Sequence, residues 1–185
     1  LLFFTDNFNP PRFININRNY NNPSVTFIDQ FSAESILVIK RPPFTAPLIT
    51  SLAGGQNNYL EDRFVCFGYR YKYADNEYSA TSPFSPPSFI PGPFSFSSSS
   101  FLNQGMLNTT NIAEISYHSG GPLVLGIDLL FKDMNTGTIK VIEKLIKADV
   151  GIPDNSIEVY TFSNSKIFTV LSDNEIFRTY DNVPL

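Results

Sequence analysis

Hydrophobic and polar positions alternate most cleanly at residues 63–73. Val65, Phe67, Tyr69, Tyr71 and Tyr73 fall on one side of an extended chain, and Phe64, Cys66, Gly68, Arg70 and Lys72 on the other. A period of two marks a half-buried strand, because successive side chains of extended backbone point to opposite faces. Ala74, Asp75, Asn76 and Glu77 then suit a tight connection, and Tyr78, Ser79 and Ala80 return as a second strand. The pattern predicts a hairpin. Residues 124–132 repeat the period, with Leu125, Ile127, Leu129 and Phe131 alternating with Gly126, Asp128, Leu130 and Lys132. A turn-rich loop at 133–137 leads into 138–147, which fits either period: Ile142, Leu145 and Ile146 make a helical stripe, and Glu143 with Lys147 an i,i+4 pair. The β-branched residues Thr138, Ile139, Val141 and Ile142 favour a strand. Shorter strands are expected at 12–17, 26–28, 35–39, 112–117, 157–162, 167–171 and 176–180. Pro42 and Pro43, which cannot donate to a ladder, end the run at 35–39.

Short strands at this spacing indicate an all-β fold, specifically an antiparallel β-sandwich. The expected organisation is an extended N-terminal segment (1–43), a sandwich domain (44–162) interrupted by a loop (82–110), and strands at 163–185 that lead into a following region of a longer chain. In the loop, Pro83, Pro86, Pro87, Pro91 and Pro93 stand beside a serine run at 97–100, which alone would read as an exposed linker. Phe84, Phe89, Phe94, Phe96 and Phe101 change that picture, because apolar side chains at such density lie against a surface, of this domain or of a neighbouring subunit. These five are the candidate assembly contacts. Deleting 83–101 is expected to weaken assembly more than it lowers the melting temperature.

Composition narrows the chemistry. The chain has 185 residues, 42 % hydrophobic but only 16 % charged, and polarity comes largely from amides and hydroxyls. Eighteen asparagines equal the phenylalanines in number and suit turns between aromatic strands. A net charge of −4 argues against a protein whose task is gripping nucleic acid, since phosphate neutralisation needs clustered Lys and Arg. One cysteine, Cys66, cannot form an intramolecular disulfide, and one histidine, His118, cannot build a His-rich metal site. No apolar run is long enough to span a bilayer, and residues 1–4 are too short for a signal-peptide core, so the chain reads as soluble and unsecreted.

Candidate catalytic motifs fail on their geometry. His118 and Ser119 are sequence neighbours, which on a strand end point apart, and no Gly-x-Ser-x-Gly elbow surrounds them. Asp133-x-Asn135-x-Gly137 has the first spacing of a calcium loop without the later bidentate acid. Gly54-Gly55 lacks the lysine of a phosphate loop, and Glu61-Asp62 and Asp75-x-Glu77 read as charges on surface turns. Cys66 reads as a small buried hydrophobe, and Arg63, Arg70 and Lys72 as an exposed, snorkelling strand face. The expectation is a non-enzymatic scaffold with no cofactor and no metal.

Three stretches resemble the tail nozzle proteins of short-tailed bacteriophages, called the muzzle in crAss-like phages of gut bacteria. The opening, Leu1-Leu2-Phe3-Phe4-Thr5-Asp6-Asn7-Phe8-Asn9-Pro10-Pro11-Arg12-Phe13-Ile14-Asn15, is similar to their L-x-x-T-D-x-x-N-P-P-R-x-I-N. The hairpin, with Phe67, Tyr69-Arg70-Tyr71, Tyr73, Asp75, Glu77-Tyr78-Ser79-Ala80 and Ser82-Pro83-Phe84-Ser85, resembles their F-x-Y-R-Y-x-Y-x-D-G-E-Y-S-A-x-S-P-F-S, with Asn76 in place of glycine. It is more distantly similar to the last hairpin of a fibronectin type III domain, although here strong strands follow it. Tyr160, Phe162, Asn164, Lys166, Leu171, Glu175 and the 180–184 segment resemble the family's ending, after which its chains continue. The resemblance implies a virion structural protein in the phage tail: one subunit of a hexameric ring of identical copies, contacting other tail proteins, with DNA only as passing cargo. The alternative of a different class is a carbohydrate- or receptor-binding sandwich module, motivated by the abundant Tyr and Asn and the 133–137 loop; it requires an exposed aromatic platform.

Overall fold

A computed structural model of the chain describes residues 1–17, 32–54, 59–60, 63–74, 76–106, 108–166 and 168–176. Among these residues the strands are β1 Leu2–Phe4, β2 Arg12–Ile14, β3 Leu48–Leu52, β4 Val65–Tyr73, β5 Phe96–Ser97, β6 Leu102–Asn103, β7 Ile112–His118, β8 Val124–Asp133, β9 Ile139–Ile146, β10 Ile157–Phe162 and β11 Thr169–Val170. Among the described residues, helix is confined to a 3-10 turn at Gln104–Met106 and two single turns, α1 Lys147–Val150 and α2 Asp173–Ile176. The fold is therefore all-β, and every strand pairing in it is antiparallel.

Two sheets share one core. The first runs β11-β9-β8-β4 and the second β10-β7-β3. From the first, Val65, Phe67, Tyr69, Tyr71, Ile127, Leu129, Phe131 and Ile142 enter the cluster, and from the second Ala113, Ile115, Tyr117 and Phe162 meet them. Phe162 closes the middle, with its ring 5.2 Å from Phe67 and 5.5 Å from Phe131. The period-two reading thus placed the inward row of β4 correctly and that of β8 from Ile127 onward, whereas at the start of β8 Val124 rather than Leu125 joins the core, and 139–146 is a strand as its β-branched residues favour.

The opposite face of the first sheet is also covered, which alternation did not anticipate. Leu130, Ile139 and Val141 form a second cluster with Leu171 and Ile176, and Phe84 packs on it. Arg70 lies under this cover at 3 % exposure, so the expectation of a solvated, snorkelling side chain is wrong for it. It is directly opposite Asp128 across the β4–β8 ladder, and its Nε and Nη2 donate to Asp128 Oδ2 at 3.1 and 3.0 Å. The Tyr78 ring stacks on the guanidinium at 4.1 Å. A buried cation needs such a set of partners, because burial without them costs several kcal/mol. Arg63 remains largely exposed and Lys72 half-buried.

Several short strands come out differently. Residues 35–39 form a turn with one isolated bridge, Arg12 to Leu37, because Ile36 and Val38 bond across to β2 through Phe13 N–H and Pro11 C=O. Their apolar content serves packing, with Ile36 buried. The expected strand at 176–180 is preceded by a helical turn that includes Ile176, and 177–180 lie outside the described residues, as do 26–28. After β4, Tyr73 N–H donates to Glu77 C=O at 2.9 Å and Asn76 takes left-handed backbone at φ 64, while Asp75 lies outside the described residues. Beyond a single Lys72–Tyr78 bridge, however, the return is not a strand.

Candidate functional site

Residues 79–88 run back along the free edge of β4 in steps of three. The backbone N–H groups of Ser79, Ser82, Ser85 and Ser88 donate to the carbonyls of Tyr71, Tyr69, Phe67 and Val65 at 2.8–2.9 Å. The hydroxyls of the first three accept the N–H of the same strand residues, Tyr71, Tyr69 and Phe67, each at 3.0 Å. Each hydroxyl also donates onward to the carbonyl of the following residue. The serine side chain therefore replaces the carbonyl that a paired strand would offer. Two strand residues advance about 6.7 Å, and three residues of the returning segment cover that distance, so only every third residue touches β4 and the other two bulge outward. Prolines fit at 83, 86 and 87 because none of these positions has to donate. The device closes an otherwise open edge.

Phe84 and Phe89, two of the five candidate contacts, belong to this covering segment. Phe84 lies over Gly68, where any side chain would meet its ring at 3.2 Å, and Lys132 Nζ stands 5.5 Å from the ring centre. Phe89 pairs with Phe64 at 5.3 Å. The other three stand apart from the core. Beyond Ile90 the chain projects as the β5–β6 hairpin, on which Phe94 and Phe101 are each 78 % exposed and Phe96, Leu102 and Met106 are also exposed. Phe96 and Phe101 meet edge to face at 6.5 Å. From Tyr78 to Ala113 the chain has no charged residue and no histidine.

The base of the hairpin is tightly fixed. Gly92 N–H donates to Gly105 C=O at 3.0 Å, and a side chain at Gly105 would strike the carbonyl oxygens of Pro93 and Gly92. Buried Asn108 uses its whole amide: Nδ2 donates to the carbonyls of Arg63 and Ser88, and Oδ1 accepts from Ile90 and Thr110. It ties both legs of the loop to the start of β4. Nothing in the local sequence singles Asn108 out among eighteen asparagines.

Of the chemical candidates, Ser119, Asp133 and Cys66 are held within the fold, whereas Gly55, Glu61, Asp62 and Asp75 lie outside the described residues. Ser119 is fully buried, its hydroxyl donating to Pro153 C=O at 2.7 Å and accepting from Ser156 N–H, while His118 is exposed. Asp133 accepts from Arg63 at 3.0 Å and from Asn135 N–H at 2.9 Å, and Gly137 at φ 71 completes that turn. Cys66 is buried, and desolvation raises its thiol pKa. Lys147 is buried too; its ammonium donates to Asp154 and to the carbonyls of Gly120 and Gly121, pinning two loops together. Among the described residues, no group of three His, Cys, Asp or Glu is placed to share a metal ion, and no helix is long and apolar enough to cross a membrane. A cleft of about 500 Å³ is lined by buried Tyr71, Tyr73 and Leu123 and by exposed Arg41, Phe44 and His118. Both tyrosine hydroxyls there already donate to main chain, to the carbonyls of His118 and Arg41.

Compared with protein-family models, with curated proteins and with solved structures, the chain matches none of them. The three stretches quoted above nevertheless have clear physical content. In the first, Asp6 accepts from Phe8 N–H and Asn9 N–H and from the Asn9 amide, making the β1–β2 turn; the Asn9 bonds, followed by the Phe8 N–H, lower its pKa to about 2. In the second, the repeated serines line the β4 edge. In the third, Asn164 Nδ2 bonds Tyr59 C=O, and Glu175 accepts from both the N–H and the hydroxyl of Ser172, capping α2.

Proposed function

We propose that the chain is a virion structural protein: one subunit of a ring of identical copies, six in the reading preferred here, that forms the nozzle or muzzle of a phage tail and conducts the genome at ejection. The observation that carries this is the contrast between two regions. In the body, Asn108, Ser119, Asp133 and Lys147 bond within the fold, while the longest uncharged stretch, Tyr78 to Ala113, carries a hairpin fixed at its base with its phenylalanines in water. Exposed apolar surface of that kind is retained where another protein covers it. The three motif stretches direct the reading to the tail nozzle. Other tail proteins are the further partners, DNA is passing cargo, and the role requires neither catalysis nor cofactor.

The same reading makes the domain a modified β-sandwich of the fibronectin type III kind. In this reading β4 with its serine-bonded return stands for the last hairpin of such a domain; it lies at the sheet edge beside β8 and precedes β7 and β8 in the chain. The hairpin resemblance and the strong strands after it are then consistent. A carbohydrate-binding module finds less support, since Tyr69, Tyr71 and Tyr73 face the core and supply no stacking platform.

Imaging of the whole chain by negative stain tests the proposal. Rings are expected; monodisperse monomers at high protein concentration would refute it.

A further inference from the structure

The hairpin has a candidate receptor on the same fold. On the outer face of the β10-β7-β3 sheet, Val159, Ser116 and Leu48 lie in register across the three strands, with Ile157 and His118 as the neighbouring pair. Leu48, Ile157 and Val159 are 72 %, 65 % and 59 % exposed, an apolar patch flanked by small hydroxyl residues. Thr50, Glu114 and Thr161 form the next row. The patch sits around the Ser116–His118 end of β7, whereas the hairpin enters the sheet at the Ile112 end, roughly 13–20 Å away along the strand.

We propose that the β5–β6 hairpin of one copy seats on this patch of the next, so that copies join head to tail. The inference rests on the ring reading above and adds its two contact surfaces and their polarity. An uncharged tip has nothing with which to select a charged partner, and the patch offers apolar area with His118 and Glu114 as the titratable residues in its rows. The three exposed phenylalanines alone leave about 400 Å² of side chain in water, taking ~200 Å² for a whole one; Leu102 and Met106 bring the tip towards the ~800 Å² per partner of a stable interface. A tip at one end and a receptor at the other make a heterologous contact, which closes into a ring when the rotation per copy divides a full turn.

Two variants of the whole chain test it by mass photometry and thermal melting: Phe94→Asp with Phe101→Asp at the tip, and Leu48→Glu with Val159→Glu at the patch. Each is expected to remain monomeric at concentrations where the wild type forms closed assemblies larger than dimers. Mixed together they should form dimers, because one sound tip then meets one sound patch. Assembly of either variant at the wild-type level, a mixture that stays monomeric, or a wild type that stops at dimers would overturn the docking. Wild-type rings alongside ring-forming variants would reject the docking alone, whereas a monomeric wild type would reject the ring reading itself. Should a charged variant melt early, Phe101→Cys and Val159→Cys on separate chains give a second readout: an intermolecular disulfide is expected, and its absence counts against the contact.

Discussion

The serine edge makes a quantitative demand on stability. In Ser82→Ala, the backbone bond from residue 82 to Tyr69 C=O can persist, but Tyr69 N–H loses its 3.0 Å acceptor. Ser82 and Tyr69 are both buried, so water cannot replace the hydroxyl without opening the edge. A buried N–H left unpaired costs about 1–3 kcal/mol, out of the ~5–15 kcal/mol that holds a typical domain together. At ~2–4 °C per kcal/mol for a chain of this size, the melting temperature should fall by roughly 2–12 °C. Ser98→Ala on the exposed serine run is the control and should stay within ~0.5 kcal/mol of wild type. Urea unfolding gives the free energies, and hydrogen exchange gives the site: the Tyr69 amide should lose protection more than its neighbours on β4. Pro83→Ala should cost under ~1 kcal/mol, because position 83 donates nothing and loses only its restriction of the unfolded chain. If Ser82→Ala matched Ser98→Ala while Tyr69 stayed protected, the hydroxyl would not be the acceptor and the edge would need another explanation.

The other predictions follow from the same structure. Arg70→Met should destabilise by about 3–5 kcal/mol because it strands Asp128 in the interior, and adding Asp128→Leu should recover much of that loss in a double-mutant cycle. Stability should fall between pH 10 and 12: burial pushes Tyr117 up to about 12 and raises Tyr71 as well, so the folded state keeps protons that the unfolded chain releases near pH 10. The slope is at most ~1.4 kcal/mol per pH unit for each group, and Tyr117→Phe should reduce it in unfolding measured at pH 9 and 11. Removal of residues 83–101, which the sequence suggested would weaken assembly more than stability, should instead unfold the domain, since Ser85 and Ser88 are bonded to β4, whereas Gly105→Ala should mainly loosen the hairpin, read as faster proteolysis within 92–106 at a nearly unchanged melting temperature.

The strands most legible in the sequence were those with one inward row: β4, β8 and β7 alternate because their core faces are continuous. What alternation could not reveal was a second cover. Arg70 reads as solvated until the Leu171 and Ile176 cluster is known to lie over that face, and the contact spans a hundred residues of chain. β3 was missed because its inward residues are Ile49 and Ser51, and the serine bonds Ser88 at 2.6 Å instead of packing as a hydrophobe. The run at 35–39 looked like a strand because its apolar residues were counted without a partner edge to pair with.

The edge of β4 had a signal of its own, with serine at 79, 82, 85 and 88 and proline between, but its period is three. Searches tuned to two or 3.6 residues pass over it, and composition turns it into a linker. The Asp6 turn, the serine rungs and the Ser172–Glu175 cap are devices whose polar atoms bond within the chain. Such residues serve the scaffold, because a turn or a closed edge is needed whatever the scaffold is used for. The functional distinction has to come from side chains that the fold leaves unengaged. Phe94, Phe96 and Phe101 on the hairpin, and Leu48, Ile157 and Val159 on the outer sheet, are such side chains, so mutations there should separate assembly from folding, whereas mutations in the motif stretches should affect folding first.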